Sequence, residues 1–250
     1  MASLSDEFRY YHKDNHNFVK PLKGDNYGVI LEWYAPYEAQ TGYRITPEEC
    51  TVIHPDVVLS TVTDTLEIDQ YGHAYPEAGQ AAADIFKTTP GMNSLPSYGN
   101  HRVMEFWGRC TNYTNLTLYD GLEVNFNDDN LGNRWMARHQ DNGSNWDPYV
   151  AEYVATVWNL RLSPTDIAQS SSPVTHKWYM RIVEAQDYVV QQITLLPNAP
   201  TATSQWQETS SCLYEASRSN KDVHNCRARL FSGYTDKSIM AIRGFRISHP

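Results

Sequence analysis

The chain has 250 residues, 41% of them hydrophobic and 20% charged, with a net charge of −9. That length can bury a sizeable core without staples, the composition excludes a disordered chain, and the acidic balance disfavours a nucleic-acid backbone or an anionic membrane surface as partner. No window approaches the ~18 apolar residues of a membrane span, and the charged start MASLSDE lacks a secretory apolar stretch, so a soluble cytoplasmic protein is expected.

In chain order, Leu4, Phe8, Tyr11 and Phe18 fall on one helical face, with Arg9, His12, Lys13 and His16 opposite. Ser3 or Ser5 can cap this helix, Asp6 and Glu7 suit its positive end, and Pro21 and Gly24 close it. An amphipathic helix over residues 1–20 is therefore expected to project from a single-domain body formed by residues 27–250. Tyr27 to Tyr37 reads as a strand, Gln40-Thr41-Gly42 as a turn into Tyr43–Ile45, and Pro47–Cys50 as one helical turn. Asp56 to Thr65 is a further strand candidate. Pro76 to Lys87, with proline in its first turn and three consecutive alanines, reads as a short helix.

Strands follow at His101–Trp107, Tyr113–Tyr119 and Gly121–Phe126, the last two joined by an Asp120-Gly121 hairpin signal. Asn127 to Asn133 is a polar turn and Tyr149 to Leu162 a long strand. Residues 163–175 read as a surface loop, Lys177–Glu184 with Asp187–Leu196 as a second hairpin, Leu213 to Leu230 as a helix, and Ile239 to Ile247 as a final strand. Many short strands with few helices predict a mainly β protein, an antiparallel β-sandwich with an N-terminal amphipathic helix and additional short helices.

Cys50, Cys110, Cys212 and Cys226 form no CxxC pair and read as small buried hydrophobes, with a Cys212–Cys226 disulfide as the alternative. No nucleophile elbow, zincin helix, P-loop or dinucleotide fingerprint occurs, and no catalytic residue, metal site or cofactor is expected. Four weaker groups remain. His12 and His16 at i and i+4 lack a third metal ligand. Asn127–Gly132 fails the calcium-loop pattern, since Leu131 and Arg138 fall where oxygen ligands are needed. Asp64, Glu67 and Asp69 ahead of His73 could serve acid/base chemistry, although scattered surface carboxylates are the plainer reading. Trp135, His139, Trp146 and Tyr149 have the aromatic-plus-polar mix of a sugar-binding loop, against the plainer reading of a packed loop.

Tyrosine occurs 17 times, against 7 Phe and 7 Trp. Tyr27 to Ile45, an aromatic strand with a tyrosine-bearing turn and return, and His176 to Pro200, a tyrosine-bearing hairpin ending in an Asn/Pro loop before a cysteine-flanked helix, resemble the polyhedrins of cypoviruses. The resemblance implies a β-sandwich with helical extensions, assembled as homotrimers into crystalline occlusion bodies in the cytoplasm of an infected insect cell. Such bodies embed virus particles and dissolve at alkaline pH; structural nucleotides can accompany them. It also implies that the helix over Ser5–Asn17 ties trimers together, through Leu4, Phe8, Tyr11 and Phe18 on the apolar face. Ionising the tyrosines and cysteines while lysines lose their charge deepens the net charge about fourfold. This makes Tyr10, Tyr27, Tyr34, Tyr37 and Tyr43 candidates for an alkaline release switch. The expected function is thus structural self-assembly without enzymatic activity, with the protein itself and virions as partners and no membrane or specific nucleic acid. The alternative is a carbohydrate-binding β-sandwich lectin.

Overall fold

The computed structural model describes residues 29–55, 57–88, 102–110, 121–126, 134–141, 145–154, 157–160, 167–168, 176–184, 188–194, 212–217, 226–231 and 240–248. Seventeen strands lie within them. The first six are β1 (Val29–Tyr34), β2 (Gln40–Tyr43), β3 (Val52–Ile53), β4 (Leu66–Ile68), β5 (Ala74–Pro76) and β6 (Ala82–Lys87). The middle of the chain supplies β7 (Arg102–Cys110), β8 (Gly121–Phe126), β9 (Arg134–Asp141), β10 (Asn145–Val154), β11 (Val157–Leu160) and β12 (Ile167–Ala168). The last are β13 (His176–Glu184), β14 (Tyr188–Thr194), β15 (Cys212–Ser217), β16 (Cys226–Phe231) and β17 (Met240–Ser248). A 3-10 turn at Pro47–Glu49 stands where the helical turn is expected.

The strands form two antiparallel sheets. The ten-stranded sheet runs β15-β14-β13-β7-β17-β5-β4-β2, with β1 also paired to β17 and β3 to β1. The seven-stranded sheet runs β11-β10-β9-β8-β16-β6, with β12 on β10. One hydrophobic core joins them, drawing Trp33, Met104, Phe106, Trp178 and Phe245 from the first sheet and Phe86, Leu122, Val124, Val150 and Leu230 from the second. Phe86 reaches across the seam: its ring lies 4.8 Å from Phe245 and 6.5 Å from Phe106, centroid to centroid. These rings stack or tilt as aromatic quadrupoles prefer. Gly244 allows β17 to pass under its neighbours, because a Cβ there would lie 2.6 Å from Trp107 Cζ2 and 2.7 Å from the Trp33 carbonyl oxygen.

Both interior helices expected from the sequence are strands instead. In Pro76–Lys87, Gly79 adopts a left-handed φ of 88°, and Gln80 N–H donates to the Glu77 carbonyl, so the chain turns before Ala82. Ala82–Lys87 then pairs with β16. Helix propensity differs between residue types by only a few tenths of a kcal/mol each, so a full ladder of cross-strand hydrogen bonds overrides it. Leu213–Leu230 resolves into β15 and β16, and the second shows a period of two: Cys226, Ala228 and Leu230 are buried, while Arg227, Arg229 and Phe231 are partly exposed.

The strand expected over Asp56–Thr65 is, over residues 57–65, only an isolated bridge between Leu59 and Thr88. Tyr149–Leu162 divides into the antiparallel pair β10 and β11. The hairpin of β13 and β14 stands as expected. The N-terminal helix with Leu4, Phe8, Tyr11 and Phe18, the Tyr113–Tyr119 strand and the Asn127–Asn133 turn lie outside the described residues.

Candidate functional site

The end of the larger sheet beyond β2 and β4 gathers the most exposed aromatic surface among the described residues. The turn from β4 to β5 is built by Asp69, whose Oδ1 accepts from the backbone N–H groups of Tyr71 (2.8 Å) and His73 (3.0 Å). This is an aspartate turn of the kind that short carboxylate side chains favour. Gly72 closes it with a φ of 72°. A Cβ on Gly72 would lie 3.0 Å from the Pro36 carbonyl oxygen and 3.1 Å from Arg243 Nη1, so this turn packs tightly on the bend that follows β1.

Arg243 joins the two turns. It stands on β17, 7% exposed, and its Nη1 donates to the carbonyl oxygens of Ala35 and Gly72, the second at 3.1 Å. Above the guanidinium lies the ring of Tyr37, with Cζ of Arg243 4.2 Å from its centroid, a cation–π contact. Tyr37 itself is 74% exposed and Tyr71 58% exposed. The pairing of Gln40 with Ile68 puts positions 37 and 71 three residues beyond the same rung, on the same end of the sheet. Two outward tyrosines are thereby carried on turns held by one buried guanidinium.

On its side away from the core, the larger sheet carries a transverse charged row in register: Arg181 opposite Glu105, Glu105 opposite Arg246, and Arg246 opposite Glu32. Arg246 donates to Glu32 Oε1 from Nε at 2.7 Å, with Nη2 at 2.5 Å. All four are buried. Burial pushes the Glu105 carboxyl up to about 7, against the pull of Arg181 and Arg246. Tyr34 donates to Glu32 Oε1 at 3.2 Å and sets its ring edge-on to Trp107, 5.5 Å between centroids. Burial, and then the charge of Glu32, push its hydroxyl above the ordinary tyrosine range.

Of the tyrosines singled out in the sequence, Tyr37 belongs to this platform and Tyr34 lies on the strand leading to it. Tyr43 is structural: it accepts from Trp33 Nε1 at 3.0 Å and donates to Glu49 Oε2 at 2.8 Å, and burial pushes its hydroxyl up. Tyr10 and Tyr27 lie outside the described residues, as do His12 and His16 and the Asn127–Gly132 loop. The carboxylates near His73 do not converge. Asp64 accepts from the Asp84 backbone N–H at 3.0 Å and Glu67 from the Tyr75 hydroxyl at 2.6 Å, while Asp69 builds the turn and lies 3.5 Å from His73 Nδ1. Among the described residues, no group of three or more His, Cys, Asp or Glu is placed to hold a metal ion.

Trp135 to Tyr149 is a hairpin of β9 and β10, not a loop. Register divides its aromatic positions: 135, 139 and 146 share the face of the core residues Leu122 and Val124, and 149 lies on the opposite face. Cys226 is buried and not in a disulfide, with its sulfur 3.5 Å from the Met104 sulfur. Sequence reasoning missed Tyr71 and Arg243. The Asp69-Gln70-Tyr71-Gly72 turn signal could have flagged the first; no local signal marks the second.

No protein-family model matches the chain, and no curated protein does. Among solved structures, the chain is similar to the CBM2 module of Lactobacillus casei BL23 phage J-1 evolved Dit, at 10% identity and a TM-score of 0.50, covering 90% of this chain and 96% of that one. It is also similar to the exoplasmic/lumenal domain of VIP36 in a Ca2+/Man2-bound form, at 8% identity and a TM-score of 0.49 over 88% of this chain and 87% of that one. A third is lectin UEA-II complexed with galactose, at 6% identity and a TM-score of 0.46 over 85% and 99%. The first likeness concerns the fold: mainly β, with antiparallel strands in curled sheets.

Proposed function

We propose that this protein binds carbohydrate, with the Tyr37–Arg243–Tyr71 platform seating a sugar ring. The observation that carries this reading is Tyr37, 74% exposed and stacked on a guanidinium that is itself fixed by two backbone carbonyls. A pyranose offers a face of C–H groups that an exposed aromatic ring desolvates well, and hydroxyls at its rim that polar groups satisfy. Holding the ring in place beforehand lowers the ordering cost of binding. The neighbour of similar fold is named as a CBM module, a carbohydrate-binding one, which supports the same reading. Binding rather than catalysis fits the nearby acids, since Asp64, Glu67 and Asp69 are each committed to a structural hydrogen bond.

Self-assembly into occlusion bodies, expected from the resemblance of Tyr27–Ile45 and His176–Pro200 and from the helix over residues 1–20, would need that helix, which lies outside the described residues; among the described residues the exposed Tyr37 and Tyr71 favour sugar binding. The test is a glycan array followed by titration calorimetry on the best ligand. Tyr37→Ala and Tyr71→Ala should each weaken binding about tenfold, the scale of ~1.4 kcal/mol for one lost stacking surface. Binding unchanged in both variants, or no glycan bound by the wild type, rejects the reading.

A further inference from the structure

The two tyrosines of the platform are neighbours on an open surface. The β2–β4 register puts positions 37 and 71 opposite each other, beyond the rung of Gln40 with Ile68. The turns that carry them touch. A Cβ on Gly72 would lie 3.0 Å from the Pro36 carbonyl oxygen, and the Arg243 guanidinium donates to the carbonyls of both Ala35 and Gly72. Residues 38–42 and Gln70 are exposed together with both tyrosines. The rings therefore stand on an open end of the sheet, not at the bottom of a cleft.

This geometry limits what one sugar can gain. Arg243 covers one face of Tyr37, with Cζ 4.2 Å from the ring centroid, and leaves the other face for a ligand. An enclosing pocket buries most of its ligand's surface, whereas an outward ring covers one face of one sugar. Each such contact is weak alone, and useful affinity needs several sugars held at once, as in the avidity of linked modules. Charge narrows the choice further. Glu38 is exposed beside Tyr37, and Asp69 builds the turn that carries Tyr71. Arg243 is buried, and Arg44 follows the far end of β2, its Nη2 donating to the Thr63 carbonyl at 3.1 Å. Among the described residues, the outward charge beside the rings is thus acidic, in a chain of net charge −9. An anionic sugar is repelled there, and the guanidinium under Tyr37 opposes a cationic one on the outer face.

We infer that the platform takes the interior of a neutral, extended glycan chain, one sugar on Tyr37 and a neighbouring one on Tyr71. This deepens the carbohydrate reading above and rests on it. A β-1,4-linked hexose chain meets the demands: it runs straight, carries no charge, and offers successive flat C–H faces to adjacent aromatic rings. A single sugar fills only half of the platform. A uronate chain of the same linkage matches in shape and fails on charge.

The experiment is calorimetric titration of the full chain at pH 7 and low salt. The probes are the β-1,4-linked hexamers of glucose and of mannose, their monosaccharides, the hexamers methylated at the non-reducing end, and the hexauronates of the same linkage. At least one neutral hexamer should bind, about tenfold or more tighter than its monosaccharide, and its end-methylated form should bind equally well. Its uronate should bind about tenfold more weakly, with the gap closing as salt screens the charges. Tyr37→Ala and Tyr71→Ala should each bring the hexamer close to its monosaccharide, while Tyr71→Phe keeps the binding. Glu38→Lys should tighten the uronate several-fold and leave the neutral hexamer unchanged. A monosaccharide as tight as its hexamer, binding lost on end methylation, a uronate bound as tightly as the neutral chain, or no binding of either hexamer overturns the inference. If a glycan on an array is then still bound through Tyr37, the chain assignment alone has failed; if none is, the carbohydrate reading has failed with it.

Discussion

Replacing Arg243 tests whether the platform is held as described. Arg243→Ala removes two charge-assisted hydrogen bonds, to the Ala35 and Gly72 carbonyl oxygens, and the contact with the Tyr37 ring. Hydrogen bonds to a charged group contribute about 1.5–3 kcal/mol each. An exposed cation–π contact adds about 0.5–1 kcal/mol. Both hydrogen bonds are buried, and relaxation of the neighbouring turns offsets only part of the loss, so the expected cost is about 4–5 kcal/mol. Set against a typical total of about 5–15 kcal/mol, the variant remains folded but markedly less stable. Arg243→Lys keeps the charge without the planar fork and should lose about half as much. Urea unfolding at pH 7 of the wild type, Arg243→Ala, Tyr37→Ala and the double variant measures both the cost and the coupling, the latter expected near ~1 kcal/mol. A cost below about 1 kcal/mol for Arg243→Ala, or a coupling indistinguishable from zero, refutes the bracing argument.

The charged row on the larger sheet predicts a pH dependence. With its folded-state value raised to about 7 by burial, Glu105 holds a proton that the unfolded chain releases near 4.5. Its contribution to stability is therefore complete below about pH 4.5 and lost as pH rises through 7. Glu105→Gln should remove this dependence, and the stability difference between wild type and variant should change by on the order of 3 kcal/mol between pH 4.5 and 8; parallel pH profiles for the two proteins rule the argument out. At the alkaline end, the raised hydroxyls of Tyr34 and Tyr43 stay protonated in the fold while the unfolded chain ionises near pH 10. Stability should fall as pH rises past 10, and melting temperatures between pH 8 and 11 should decline less steeply for Tyr34→Phe; an unchanged slope contradicts the assignment.

What the sequence revealed ran along strands. Val29–Tyr34, Gly121–Phe126, the β13–β14 hairpin and Met240–Ser248 were readable because apolar and β-branched residues cluster or alternate within a few positions. Pro76–Lys87 misled for a physical reason: alanine favours a helix locally, while β16, more than a hundred residues later, supplies the partner that makes its second half a strand. The Trp135–Tyr149 group reads as a loop and is a strand pair. Its aromatic positions are close in sequence, but strand pleating puts 149 on the face opposite 135, 139 and 146.

Neither the Tyr37–Arg243 platform nor the pairing of Asp84 with two arginines runs along a strand. Arg243 reaches carbonyls 208 and 171 residues away in sequence. Asp84 meets arginines 143 and 145 residues away. Such groupings arise only when register is fixed, and register is fixed by the core: a slip of one residue in β16 would exchange Ala228 and Leu230 for Arg227 and Arg229 on the buried face. The same packing that forbids that slip keeps the two arginines beside Asp84 and aligned with Asn125. Likewise, Phe245 and Ile247 bury one face of β17 against the seam, fixing the strand that carries Arg243 to the Tyr37 turn. Core substitutions that leave the fold intact but loosen register should therefore weaken ligand binding before they lower the melting temperature appreciably, since binding needs placement within about 0.5 Å and folding does not.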